Sequence, residues 1–212
     1  MIRYEFKTEN TCSLLISFDI DGNVVTNIEF YGGCNGNLKA VSKLVQGMTM
    51  EETMMAKISV AYFSATGVTE KVAKELAKTE NADLYQICPE VPYSAADLDW
   101  TNKESRSTVE MQDLNCRPGI CGQVPNMDQY EVVFIGFPIW WGRELSVVDT
   151  FLTSYDFKAK CIIPFCTSGG SEVGNTAQRI FDLTRAKVDE GKRLGGIVSE
   201  EDLKLWTARL DL

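Results

Sequence analysis

A chain of 212 residues that is 44% hydrophobic can bury a sizeable core and holds one or two domains. Its net charge of −9 argues against nucleic acid and anionic membranes as partners, and the absence of histidine excludes imidazole bases, His-dependent triads and mixed Cys/His zinc sites. The odd count of seven cysteines, an N-terminus without a signal-peptide core and the lack of any apolar run of roughly 18 residues lead us to expect reduced thiols, no membrane span and a cytoplasmic protein. Residues 1–55 read as a separate small α+β unit. Alternation predicts strands over residues 2–7 and 13–20, a hairpin turn at Asp21-Gly22 and a returning strand over 24–31. Gly32-Gly-Cys-Asn-Gly-Asn37 forms a tight turn, a short helix is expected over 38–45, and Thr49-x-x-Glu52 is a capping box that opens another.

Residues 57–63 form an apolar, β-rich run that reads as a buried strand, followed at once by Ser64, Ala65, Thr66, Gly67, Val68 and Thr69. Beyond Thr69, the positions Val72, Ala73, Leu76 and Ala77 recur at helical spacing. A hydroxyl-rich turn between strand and helix suits a phosphate: amides at the helix N-terminus face the anion, Gly67 permits close approach, and Ser64, Thr66 and Thr69 can donate. Neither a Walker lysine nor the three-glycine dinucleotide fingerprint is present, which points to a monoester phosphate rather than a nucleoside triphosphate.

A second strand is expected over 83–88. The connection over 89–130 is too long to be featureless, and short helices are expected at 93–100 and 103–111. Cys116 and Cys121, separated by a Pro118-Gly119 turn, have the spacing of a reversible disulfide. The third strand, 131–136, delivers Phe137-Pro138-Ile139-Trp140-Trp141-Gly142. Then follow a helix over 146–153, a strand over 161–165, the loop Cys166-Thr167-Ser168-Gly169-Gly170-Ser171, a helix over 173–188 and a weak edge strand at 194–198. Ser199-x-x-Asp202 caps a final helix over 200–210. Strands alternating with helices imply an α/β doubly wound sheet with all three loops at its carboxyl edge.

The run Ser64-x-Thr66-Gly67-x-Thr69 after a first strand, with the two later loops in the same order, resembles the flavodoxin family over about residues 56–212. The resemblance implies a flavodoxin-like five-stranded parallel sheet and FMN as cofactor. Ser64, Thr66, Gly67, Val68 and Thr69 would hold the phosphate. The ring would lie between Pro138, Ile139, Trp140, Trp141 and Gly142 on one loop and Thr167, Ser168, Gly169 and Gly170 on the other. One tryptophan is expected to stack on the ring and the other to join the core. Tyr93, Trp100, Asn102 and Arg106 fit a long-insertion subfamily, where they are expected to pack as a cover over the sheet edge. The implied function is electron transfer between redox partner proteins, with no catalytic acid or base; an NAD(P)H-dependent flavin or quinone reductase is the alternative.

In the first unit, Cys12-Ser13 and Gly32-Gly33-Cys34-x-Gly36-Asn37 resemble the front of the TSCPD-motif domain, a family also found appended to some ribonucleotide reductases. The naming segment is missing, because the chain passes into Met55-Ala-Lys-Ile. Two thiolates do not close a tetrahedral zinc site, so Cys12 and Cys34 are expected to be structural and no metal is expected. A unit this short is marginal alone and should pack on the following unit or in a homodimer; recruitment of a partner through it is a third reading.

Overall fold

The computed structural model describes residues 2–8, 14–32, 42, 45–49, 57–195 and 198–210. The chain divides into two units, Met1–Met55 and Ala56–Leu212. In the first, β1 (Ile2–Lys7), β2 (Leu15–Asp21) and β3 (Val24–Tyr31) form an antiparallel sheet in that order. A bulge sets Asn27 and Ile28 of β3 opposite Phe18 of β2, with Asn27 at φ 50° and its amide on Asp19 at 2.8 Å. Thr49 makes an isolated bridge to Val24. The remainder of the two expected helices, together with Cys12 and Cys34, lies outside the described residues.

The second unit is built on a parallel sheet. Its order is β10 (Lys187–Val188), β9 (Cys161–Thr167), β8 (Val132–Pro138), β4 (Ile58–Tyr62), β5 (Asp83–Gln86), with β11 (Lys192–Arg193) also on β9. Side chains alternate across it with period two. Val60, Tyr62, Val132 and Phe134 face α1 (Val68–Thr79) and α5 (Glu200–Thr207). Ala61, Phe63, Val133, Ile135 and Phe137 face α3 (Ser146–Thr153) and α4 (Thr176–Thr184). Gly136 is required in β8 because the Phe165 ring fills the space its Cβ would take. Among the described residues, no helix is long and apolar enough to cross a membrane.

Several expected boundaries shift for local reasons. Of the edge strand expected at 194–198, residues 196 and 197 lie outside the described residues and Leu194 and Gly195 are in no strand; β9 is edged instead by two short pieces, β10 and β11, so among the described residues the sheet has six strands. Both pieces flank Pro164 of β9, which lacks an N–H to continue the ladder. The helix expected to reach 188 stops at Thr184, where Arg185 turns left-handed at φ 59°. β9 runs on to Thr167, so Cys166 and Thr167 belong to the strand. The strand expected over 83–88 divides at Ile87, and β6 (Cys88–Pro89) leaves to pair with β7 (Ile120–Cys121). Residues 93–100 form turns, tied by Ser94 and Asp97, rather than a helix. The helix expected from 103 begins later as α2 (Arg106–Gln112), capped by Ser105.

Candidate functional site

The sheet's carboxyl edge holds a cleft of about 460 Å³ lined by Ala65, Thr66, Val68 and Thr69 from the loop and helix start after β4, by Pro138, Ile139, Trp140 and Trp141 after β8, by Thr167 at the end of β9, and by Leu98, Trp100 and Ser107 from the 89–120 insertion. None of these side chains carries a carboxyl, amine or thiol.

At one end, the chain leaves β4 and turns at Gly67, whose φ of 81° is the left-handed conformation that glycine adopts without cost. Among the described residues no side chain caps α1, so its first-turn amides are left for another partner. The Ser64 hydroxyl is buried with no hydrogen-bond partner among the described residues. An orphaned buried hydroxyl costs about 1–3 kcal/mol, which a ligand accepting from it would recover. Thr69 and Thr167, 98 residues apart, share a buried 2.8 Å hydroxyl bond. One hydroxyl hydrogen is consumed between them, leaving one of the two free to donate.

At the other end, Trp140 and Arg143 exchange backbone hydrogen bonds of 3.1 Å around Trp141 and Gly142. Both central residues have positive φ, 46° and 78°, as a type I′ hairpin turn requires. Gly142 takes this freely, whereas an indole at this position is strained. The two tryptophans differ in surroundings. Trp140 packs on the core, edge-on to Phe63 at 6.1 Å and to Tyr93 at 5.6 Å, while Trp141 is 48% exposed over the cleft. Ser64, Gly67 and Gly142 do not line the cleft; the two glycines shape the backbone beside it. Ser168, Gly169 and Gly170 do not line it either: the Ser168 hydroxyl donates to the Ser171 carbonyl and accepts from the Gly170 amide at 3.3 Å.

The insertion contributes more than the expected cover. Leu98 and Trp100 form a wall of the cleft, with Trp100 75% exposed. Only the isolated indole in a long polar connection hinted at this. Tyr93 and Arg106 instead hold the insertion's own structure. The Tyr93 hydroxyl donates to Glu110 at 2.5 Å, and Arg106 bridges Glu110 at 2.6 Å while stacking 4.1 Å above the Tyr93 ring. Burial, then the Glu110 carboxylate, push the Tyr93 phenol well above its usual range. Asn102 serves turns: its side-chain carbonyl accepts from the Glu104 amide, and its backbone carbonyl accepts from Thr108.

The hairpin is anchored by a buried charge cluster. Glu144 and Asp149 are fully buried. Arg179 reaches both, 2.5 Å to Asp149 Oδ2 and 2.6 Å to Glu144 Oε1, and Arg143 and Arg117 approach Asp149 at 3.1 and 3.6 Å. Arg179 Nε lies close to Glu144 without hydrogen-bond geometry, and among the described residues both Glu144 oxygens and Asp149 Oδ1 lack hydrogen-bond partners. Burial, then Asp149, push the Glu144 carboxyl up to about 7.

A Bacteroides eggerthii protein described as a flavoprotein is 42% identical, with a TM-score of 0.71 over 74% of this chain and 99% of that one. A Bacteroides uniformis counterpart is 40% identical, with a TM-score of 0.69 over 73% and 99%. A Lactobacillus acidophilus flavoprotein solved in complex with FMN is 19% identical, with a TM-score of 0.49 over 66% and 91%. A search of curated protein sequences finds no match. The TSCPD domain model matches residues 2–84, past the end expected near residue 55 and into β4 and α1. The model described as Flavodoxin matches residues 57–210, the whole of the sheet, its helices and the cleft, and the chain belongs to the flavodoxin family.

Proposed function

We propose that the cleft binds FMN and that the protein carries electrons between redox partner proteins. The observation that carries this reading is an uncapped helix N-terminus, with Thr66 and the Thr69–Thr167 hydroxyl pair lining one end of a cleft whose other end presents a half-exposed indole; the buried Ser64 hydroxyl, without a partner among the described residues, lies two positions before Thr66 in the same loop. The first end fits a phosphate and the second a flat aromatic ring. Ser64, Thr66 and the free hydroxyl of the Thr69–Thr167 pair donate to the anion. Trp141 offers its face to the ring, while Leu98 and Trp100 keep water from the outer side. When bound, FMN supplies one- and two-electron redox chemistry. Among the described residues the lining holds no ionisable side chain, so a proton delivered to the ring comes from solvent, which suits a carrier better than an acid–base enzyme. The net charge of −9 disfavours adding electrons to the site and favours a low potential.

A second reading, an NAD(P)H-dependent reductase, is favoured by one observation: the wall formed by Leu98 and Trp100 also shapes a place for a small planar substrate. An anaerobic titration with FMN, followed by reduction with dithionite and separately with NADPH, decides between them. The carrier binds FMN, is reduced stepwise by dithionite and reacts slowly with NADPH; rapid bleaching by NADPH alone establishes the reductase, and no flavin binding refutes both.

Trp141 allows a test whose two readouts move in opposite directions. Trp141→Asn puts a residue that tolerates positive φ in the hairpin, so the ligand-free protein gains up to about 1 kcal/mol. Loss of the stacking face weakens FMN roughly tenfold. Thermal melts without flavin and fluorescence titration with it measure the two effects.

A further inference from the structure

The insertion leaves and re-enters the domain through one short ribbon. β6 and β7 pair antiparallel, and their register sets Cys88 directly opposite Cys121. The Glu90 amide donates to the Gly119 carbonyl at 2.9 Å, which makes Glu90 and Gly119 a hydrogen-bonded pair. Two residues along the ribbon, Cys88 and Cys121 have the same pair geometry. Such partners have Cα atoms about 5.5 Å apart and side chains on one face, within the span a disulfide bridges. Both thiols are free, with Cys121 exposed and Cys88 half-buried. Tyr85 lies beside them, its hydroxyl 3.5 Å from the Cys121 carbonyl; burial first, then Tyr155 and the two thiols, raise its pKa and keep it a neutral neighbour. Cys116, the partner that sequence spacing suggests for Cys121, is half-buried, and burial, Glu110 and Asp113 push its thiol up, away from the reactive thiolate.

We propose that Cys88 and Cys121 form a reversible dithiol–disulfide pair that clasps the neck of the insertion, with a low-molecular-weight disulfide as oxidant. The exposed Cys121 thiolate attacks one sulfur of the small disulfide, forming a mixed disulfide and releasing one small thiol. The Cys88 thiol loses its proton to solvent and attacks the Cys121 sulfur, expelling the second small thiol. Two protein thiols are thus oxidised by two electrons, and one small disulfide is reduced to two thiols. The Cβ atoms of such partners stand wider apart than a relaxed disulfide prefers, so the bond is readily reduced again. Closure makes residues 89–120 a covalent ring that contains Leu98, Trp100 and Ser107. Oxidation therefore stiffens one wall of the cleft, a consequence for flavin that rests on the cofactor assignment above.

The test exposes the full chain to graded ratios of oxidised and reduced glutathione, traps thiols by alkylation, maps disulfides by mass spectrometry and follows hydrogen exchange. The expected product is a Cys88–Cys121 cross-link, lighter by two hydrogens and reversed by dithiothreitol, in the wild type and in Cys116→Ser. Exchange across residues 90–119 slows severalfold, and Cys88→Ser stops at a glutathione adduct on Cys121. A Cys116–Cys121 link, persistent adducts in the wild type, or unchanged exchange in cross-linked protein overturns the proposal. FMN titration is read separately: a protein that forms the clasp yet binds no FMN in either redox state upholds the clasp and refutes the cofactor assignment.

Discussion

Replacing Arg179 with methionine lowers stability by about 3–5 kcal/mol in mildly alkaline buffer, because it strands two buried carboxylates beside each other. Arg179 makes the shortest contacts to both Glu144 and Asp149, and its Nη2 also donates to the Leu114 carbonyl at 3.0 Å, tying the insertion to α4. Arg143 and Arg117 remain near Asp149 at 3.1 and 3.6 Å while only Arg143, at 4.0 Å, stays near Glu144, so Glu144 bears more of the loss. The pH dependence has a definite sign. The Glu144 carboxyl is raised from 4.5 to about 7 in the folded protein, so the folded state holds a proton that the unfolded chain has released. Stability therefore falls as pH rises through that window. Removing the nearest cation pushes this carboxyl higher still, so the variant's deficit widens with rising pH and narrows toward the lower edge. Urea unfolding of wild type and variant across the window measures it. In a Glu144→Gln background, Arg179→Met costs clearly less; an equal cost in both backgrounds means that Arg179 acts through packing and the Leu114 contact alone.

The parts of this molecule legible in the sequence are those governed by near neighbours along the chain. The apolar runs of β4 and β8 read as buried strands, the turn at 64–69 stood out by its hydroxyls and glycine, and α3 falls on the expected residues. The Ser199 cap forms as spaced, accepting the Asp202 amide at 3.1 Å. The break in the outer strand was also written in the chain, as Pro164 in a run otherwise suited to pairing on both sides, but its effect falls on residues more than twenty positions later. What escaped depends on contacts between distant segments. The Thr69–Thr167 bond spans 98 residues. The division of roles between Trp140 and Trp141 depends on Phe63 and Tyr93 meeting only one of them. Leu98 and Trp100 line the cleft because the β6–β7 ribbon folds the insertion back over the sheet edge, and a two-residue ribbon is too short to leave a periodic signal.

Gly67→Val weakens FMN binding roughly a hundredfold while leaving riboflavin binding nearly unchanged. The space around Gly67 is open, with the nearest atom to an added Cβ being Glu70 Oε2 at 4.0 Å, so the substitution meets no steric wall. Its cost is conformational: at φ 81° an L-residue pays about 1–2 kcal/mol, and a β-branched one more. The chain relieves that strain by rotating out of the left-handed region, which turns the amides at the start of α1 away from the anion position. Losing one or two bonds from backbone amides to a charged phosphate, each about 1.5–3 kcal/mol, gives a deficit of the stated size. Riboflavin has the ring and lacks the phosphate, so it reports the Trp141 end of the cleft alone. Ser64→Ala provides the companion result. Removing the orphaned hydroxyl stabilises the ligand-free protein by about 1 kcal/mol and weakens FMN more than riboflavin. Fluorescence titrations with both flavins measure these effects. An equal loss of the two flavins in Gly67→Val would mean that the loop shapes the whole cleft rather than gripping a phosphate.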